Sequence, residues 1–492
     1  MRKATLFFCT VLALATAPLH AQNPVAQQSS AATPAEAATK ALLTAINGSH
    51  NDRATFVKTA FSSKALQSEN DGQRLRWLDR IAADSGRFVT LSSSSPGDRM
   101  VEAIVKTGKG NKFGKLVVFT SKAEPGKIAD IFLLAARDPA KVAAEAWPSG
   151  ALPVSRIARE IEMHAAALAS EDSFSGVVLV AKNDHVVVNR AFGFADQEWK
   201  VPNRPDTLFH VASMGKMFTA AAVLKLAGQG RLSLDDSIAK WVPDYPHAEG
   251  ATITLKQLLT HSAGIGEWDG RKIQGPKSGA ELAATMTEPL QFDPGSRFAY
   301  SNAGFVLLQA VIEKANGTSF EAALQDLVFR PAQMSHSGLW PVTAIVPNRA
   351  TGYLRPADDP LGLGPRYSNA QFLGYEGNGS GGGYSTAADI LAFNRAIASG
   401  KLLGPALTGQ MLVPRIDFAG AQRPSKYGYG VDLGQCSGRA TFGHGGGGPN
   451  SGVSSVDYYV RDSGWSIIVL SNYDPPAAED LAYSICEFVA GR

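Results

Sequence analysis

Ser213 and Lys216 are the residues whose types and spacing most directly allow covalent chemistry. They stand three apart in Ser213-Met214-Gly215-Lys216, after the apolar stretch Thr207-Leu208-Phe209-His210-Val211-Ala212. A helical pattern follows through Met217–Ala227. Residues three apart share a helix face, so the amine can sit beside the hydroxyl. A serine hydroxyl is a weak nucleophile until a base takes its proton. A lysine desolvated at a helix start gives up its own proton more easily and can be that base. The spacing recurs at Ser237-Ile238-Ala239-Lys240, after Leu234-Asp235-Asp236. No apolar strand aims this second copy into a cleft, and it reads as a surface turn.

Tyr300-Ser301-Asn302 precedes the apolar helical pattern Gly304–Lys314. A tyrosine beside a cationic lysine can lose its proton more easily and carry protons to a leaving group. An asparagine two residues on can orient a lysine and a substrate carbonyl. Tyr367-Ser368-Asn369 repeats the pattern in a Gly/Pro-rich stretch with no helix behind it, so Tyr300 is the expected group. A third cluster is His444-Gly445-Gly446-Gly447-Gly448. Its glycines let a strand backbone approach a ligand closely. A backbone N–H from such an edge, with that of Ser213, can form an oxyanion hole. His261, in a Thr-His-Ser turn, reads as structural, filling a hydrogen bond or capping a helix end.

With these motifs in this order, the region from Val154 to the end resembles the serine β-lactamase and penicillin-binding protein superfamily. The similarity is to the class C-like branch, which holds β-lactamases, carboxylesterases and D-aminopeptidases. Leu258-Leu259-Thr260-His261-Ser262-Ala263-Gly264, Asp293-Pro294-Gly295 and the run Gly381–Asp389 add to it. The resemblance implies Ser213 as acyl-accepting nucleophile, Lys216 as its activating base and Tyr300 as general acid/base. It implies Asn302 as a positioning residue. His444 falls where many members carry the lysine of a Lys-Thr-Gly motif. Gly446 matches that motif's last glycine, and Gly447 would supply the second oxyanion N–H. A lysine there is a fixed cation for a substrate carboxylate, whereas histidine is charged only part of the time near pH 7. The histidine form is similar to that of the esterases and D-aminopeptidases. The expected activity is therefore hydrolysis of small esters, amides or peptides through an acyl-enzyme. The alternatives are a penicillin-binding DD-carboxypeptidase or class C-like β-lactamase, and a catalytically silent binding protein on the same fold.

The elements that must position these residues form an α+β pattern. A hairpin, Gly176–Lys182 with His185–Phe194, opens the region. Strands Arg439–Gly443, Ser454–Val460 and Trp465–Leu470 close it around a helix-rich middle. Strands at both ends predict one antiparallel sheet assembled from the two termini, flanked by helices in an α/β sandwich. Before it, residues 35–137 read as a small α+β domain, with three helical stretches and then four apolar-alternating runs. In element order it resembles the cone-shaped nuclear transport factor 2-like domains. No catalytic constellation lies there, and it is expected to be a spacer or a module that docks a partner. Residues 138–153 read as a linker.

Length and composition fit this division. A chain of 492 residues suggests two or three domains, and 45% apolar residues supply a sizeable core. The formal net charge of +3 excludes a strong nucleic-acid or membrane-surface signal. Arg2 and Lys3, the apolar run Leu6–Ala17 and Ala21 before Gln22 read as an export signal over residues 1–21. A flexible leader over residues 22–34 follows, and no later run is long enough to span a membrane. The expected place is the periplasm or the medium. Cys436 and Cys486 then remain, free to pair or to stay as thiols. The histidines form no His-x-His or His-Glu-x-x-His pair, and there is no Gly-x-Ser-x-Gly. Neither a zinc hydrolase nor an α/β-hydrolase is indicated, and no metal or cofactor is expected.

Overall fold

The computed structural model describes residues 32–492, apart from 267, 271–272, 274, 356–358, 360, 363, 419–422 and 449–450. The expected export signal and all but the last residues of the leader lie outside the described residues. The chain divides into two compact units.

The smaller unit begins with helices Pro34–Asn47, His50–Ala60, Ser63–Ser68 and Asp71–Ser85. Thr33, Ser49 and Asn70 each form a reciprocal capping box, which satisfies amide groups that a helix start leaves orphaned. Strands Phe88–Gly97, Met100–Thr107, Phe113–Thr120 and Ile128–Ala136 follow as an antiparallel meander in sequence order. Leu42, Ile46 and Leu78 pack with Val105, Leu116 and Val118 in the core between helices and sheet. The unit also takes in Arg355–Tyr367, far along the chain. Leu361 from that segment is buried in the same core. It approaches Gly114 so closely that a Cβ there would stand 2.7 Å from Leu361 Cδ2. The sequence does not announce this packing, because one leucine among glycines and prolines carries no periodicity.

The larger unit holds the sheet expected from both termini. Its strands run in the order Ile416–Asp417, Lys426–Tyr427, Asp432–Leu433, Arg439–Gly447, Ser454–Val460, Trp465–Ser471, Gly176–Lys182 and His185–Phe192. All neighbours are antiparallel, and Trp465↔Lys182 through Ser471↔Gly176 joins the end of the chain to the hairpin. Every residue of Trp465–Ser471 is buried, so both faces of this central strand are covered. One side carries Val154–Ser170 and Glu479–Ala490. The core on the other side is built from Lys216–Gly228, Asn302–Asn316 and Ala387–Ala398. The strand expected to stop at Gly443 continues to Gly447, because Ser454–Val460 keeps register as far as Gly447↔Ser454. A run of glycines has no side-chain pattern to announce a strand. Cys436 and Cys486 form a disulfide with a Cα separation of 5.8 Å, tying the edge of the sheet to the last helix. Among the described residues no helix is long and apolar enough to cross a membrane.

Candidate active site

The nucleophile candidate is aimed by strain and by glycine. Ala212 takes a left-handed backbone with φ of +45°, which alanine rarely adopts. His210 Nδ1 accepts the Ala212 N–H at 3.2 Å and braces the turn. Gly381 lies against it, where a Cβ would fall 2.0 Å from Ala212 O. Ser213 therefore leaves the turn half-buried, at the start of the helix Lys216–Gly228. The glycine strand passes the same turn, for a Cβ on Gly446 would meet Val211 O at 2.1 Å. Ser455 Oγ donates to Val211 O at 2.8 Å and ties the two segments together. Gly447 ends that strand, exposed, with φ of +139°.

Lys216 is fully buried. Its Nζ stands 3.1 Å from Ser213 Oγ, 2.7 Å from Asn302 Oδ1 and 2.6 Å from Ser380 O. Desolvation pushes the amine well below its usual 10.5. A neutral amine has two N–H bonds and one lone pair. Asn302 Oδ1 and Ser380 O can only accept, so they take the two N–H groups. The lone pair is then left facing the Ser213 hydroxyl, the arrangement a general base needs.

Tyr300 keeps 38% of its surface exposed, and its hydroxyl hydrogen-bonds Ser213. Desolvation at that hydroxyl outweighs the bond and pushes the phenol above its usual 10. Lys216 Nζ lies over the face of the ring, 4.7 Å from its centroid. Burial thus works against the expected help of a cationic lysine in drawing the proton off Tyr300. It disfavours charge on both groups, lowering the amine's pKa and raising the phenol's.

His261 holds the Tyr300 turn from beneath. Its carbonyl accepts the Ala299 N–H at 2.8 Å, and Nδ1 accepts the Ser301 N–H at 3.0 Å. The imidazole lies 4.2 Å from the Tyr300 ring at an angle of 31°. Burial keeps it neutral. His261→Ala is expected to lower kcat by about 100-fold, the cost of a misplaced catalytic group. His261→Asn, whose carbonyl can still accept from Ser301, should recover part of the loss. Steady-state kinetics on an activated ester check the order of the three proteins.

His444 is buried, its ring centroid 6.4 Å from that of Tyr300. Tyr427 Oη stands 2.8 Å from His444 Nε2, and His444 Nδ1 lies against Gly445 O. Burial and the neighbouring Lys216 hold the imidazole down at about 3.

The structure thus brings Ser213, Lys216, Tyr300, Asn302, His444 and Gly446 together, with Gly447 at the end of the strand that carries the last two. The repeated motifs lie elsewhere. Lys240 pairs with Asp236 at 2.7 Å on the surface. Tyr367 is 52% exposed, and Asn369 donates to Ser451 O. Sequence reasoning missed Ser380 and Tyr427. The Tyr427-Gly428-Tyr429-Gly430 run is the available signal for the second, since Gly430 allows the chain to press on Lys216–Gly228.

A family profile described as Beta-lactamase matches residues 162–487. Esterase EstB of Burkholderia gladioli is 36% identical over 181 residues, which cover 33% of this chain and 46% of that protein. The crystal structure of a penicillin binding protein from Bacillus halodurans is similar with a TM-score of 0.57 and 28% identity. It covers 65% of this chain and 97% of that one. A D-stereospecific amidohydrolase from Streptomyces sp. aligns with a TM-score of 0.56 and 25% identity, over 67% of this chain and 98% of that one. The chain spans between 40% and 60% of the length of the first curated relatives it matches.

Proposed function

Because the chain belongs to the beta-lactamase family, we propose that it is an exported serine hydrolase that cleaves small esters or amides through an acyl-enzyme on Ser213. The observation that carries the proposal is the buried Lys216 Nζ 3.1 Å from Ser213 Oγ, with Asn302 Oδ1 and Ser380 O as acceptors for its N–H groups. Lys216 takes the hydroxyl proton as Ser213 Oγ attacks the carbonyl carbon. The Ser213 and Gly447 N–H groups receive the oxyanion. The Ser213 ester forms, and the leaving alcohol or amine departs with a proton delivered through Tyr300 from Lys216. Water then attacks the ester, the same groups move its proton, and Ser213 is released with a carboxylic acid. Export is part of the proposal. It is supported by the basic and apolar pattern of residues 2–17 and by the Cys436–Cys486 disulfide, which persists in oxidising compartments.

Ester or amide is favoured over β-lactam because position 444 carries an imidazole that burial holds neutral. The similarity to an esterase and to a D-stereospecific amidohydrolase supports the same choice. The test is a panel of an activated short-chain ester, a D-amino-acid amide and a chromogenic cephalosporin. Wild type should turn over the first or second and leave the third intact. His444→Lys should raise kcat/KM for the cephalosporin relative to the ester by about tenfold or more, since a nearby cation contributes over 1 kcal/mol to a carboxylate. An unchanged ratio overturns this reading of His444. A stable cephalosporin adduct on wild type favours the penicillin-binding alternative.

A further inference from the structure

Resting on the hydrolase reading, the geometry points to Tyr427 as a positioning residue that sets substrate specificity: it saturates His444 Nε2 and so denies the site a cation or donor for an acyl-group carboxylate. Tyr427 is fully buried on the short strand Lys426–Tyr427, two strands removed from the one that carries His444. The Gly445 carbonyl can only accept, so His444 Nδ1 bears the proton. Nε2 is then the lone-pair nitrogen, and the Tyr427 hydroxyl donates to it at 2.8 Å. Both ring nitrogens are occupied, and the imidazole has nothing left to offer a ligand.

The other ionisable groups round His444 do not restore a charge. Burial disfavours charge on Lys216 and Tyr300 on one side, and His261 packs against both tyrosines at 4.2 and 4.9 Å between ring centroids. Tyr427 itself is pushed well above 10 by burial, so it remains a donor. From the adjacent strand Asp457 Oδ1 accepts the His444 backbone N–H at 2.9 Å, and its carboxyl is pushed up to about 7. Asp432, paired with Gly443 on the other side, is pushed up to about 6. Any charge these two carry is negative and disfavours an anionic substrate further. The substrate class that fits is an ester or amide whose acyl portion carries no carboxylate.

Removing the Tyr427 hydroxyl leaves Nε2 unpaired beside the cleft, free to take a proton when a carboxylate arrives. The experiment compares 4-nitrophenyl butyrate with the 4-nitrophenyl monoester of glutaric acid on wild type and Tyr427→Phe, at pH 6 and pH 8. In parallel, 15N spectra of the histidine rings are recorded, with His444 identified by the signal lost in His444→Gln. Wild type should strongly prefer the butyrate at both pH values, with His444 a neutral Nδ1–H ring throughout. Tyr427→Phe should raise the glutarate-to-butyrate ratio of kcat/KM about tenfold at pH 6 and less at pH 8, with a changed His444 signal. An equal ratio in both proteins overturns the proposal, as does a wild-type His444 that titrates near neutrality. The wild-type spectrum decides even where the variant fails to fold. Turnover of neither ester by wild type counts against the hydrolase reading, and the spectra then judge the Tyr427 bond separately.

Discussion

Lys216→Met is expected to lower turnover of an activated ester by about 1,000- to 10,000-fold while leaving a folded protein. Methionine fills a similar volume without an amine, so Ser213 keeps its place on the strained turn but loses the lone pair that takes its proton. The burial that makes Lys216 a base also carries a signature in stability. Its pKa in the fold lies well below the 10.5 of an exposed lysine, so the unfolded chain binds a proton that the folded one does not. Stability then rises with pH from the depressed pKa up to about 10.5, by up to about 1.4 kcal/mol per pH unit. Lys216→Met has no such group. Melting temperatures of wild type and variant should run apart in slope across this window, the wild type gaining on the variant as pH rises. Activity has the same sign, because only the neutral amine is a base: the wild-type rate falls on the acid side as Lys216 takes up a proton. Parallel melting curves for the two proteins would show that Lys216 is charged in the fold.

Part of this site was legible in the sequence, and the reason is local. Ser213 and Lys216 are one helical turn apart, so spacing alone brings them to one face, and Nζ stands 3.1 Å from Oγ. Tyr300 and Asn302 lie at a helix start that the apolar run Gly304–Lys314 announces, and Ser301 is its N-cap. The sheet joined from both ends followed from apolar strand patterns such as Ser454–Val460 and Trp465–Leu470. What stayed hidden depends on contacts without periodicity. Tyr427 sits on a strand of two residues and reaches His444 across the sheet. Ser380 contributes a backbone carbonyl, which no residue type encodes. Leu361 joins a core built more than two hundred residues earlier in the chain. The effect of burial on Lys216 and Tyr300 stayed hidden for the same reason. Desolvation is a property of the packed site, which the spacing within either motif does not encode.

Ser213→Ala is expected to bring ester turnover down to the uncatalysed rate, a larger loss than any other single change in the cleft. The substitution removes one oxygen and leaves Lys216, Asn302 and Ser380 in their mutual bonds. Among the described residues no other hydroxyl bonds Lys216 Nζ. Tyr300, the nearest alternative, presents its ring face to that nitrogen and keeps a phenol whose pKa is raised. Alanine can therefore bind substrate and form no covalent species.

The most direct test of the central claim is rapid-quench intact mass spectrometry of wild type and Ser213→Ala during turnover of an activated short-chain ester. Wild type should gain the mass of one acyl group, placed on Ser213 by peptide mapping, and lose it as the ester is exhausted. Ser213→Ala should stay at its starting mass and release product no faster than buffer. An acyl adduct on Ser213→Ala, or wild-type rates in that variant, would contradict Ser213 as the nucleophile.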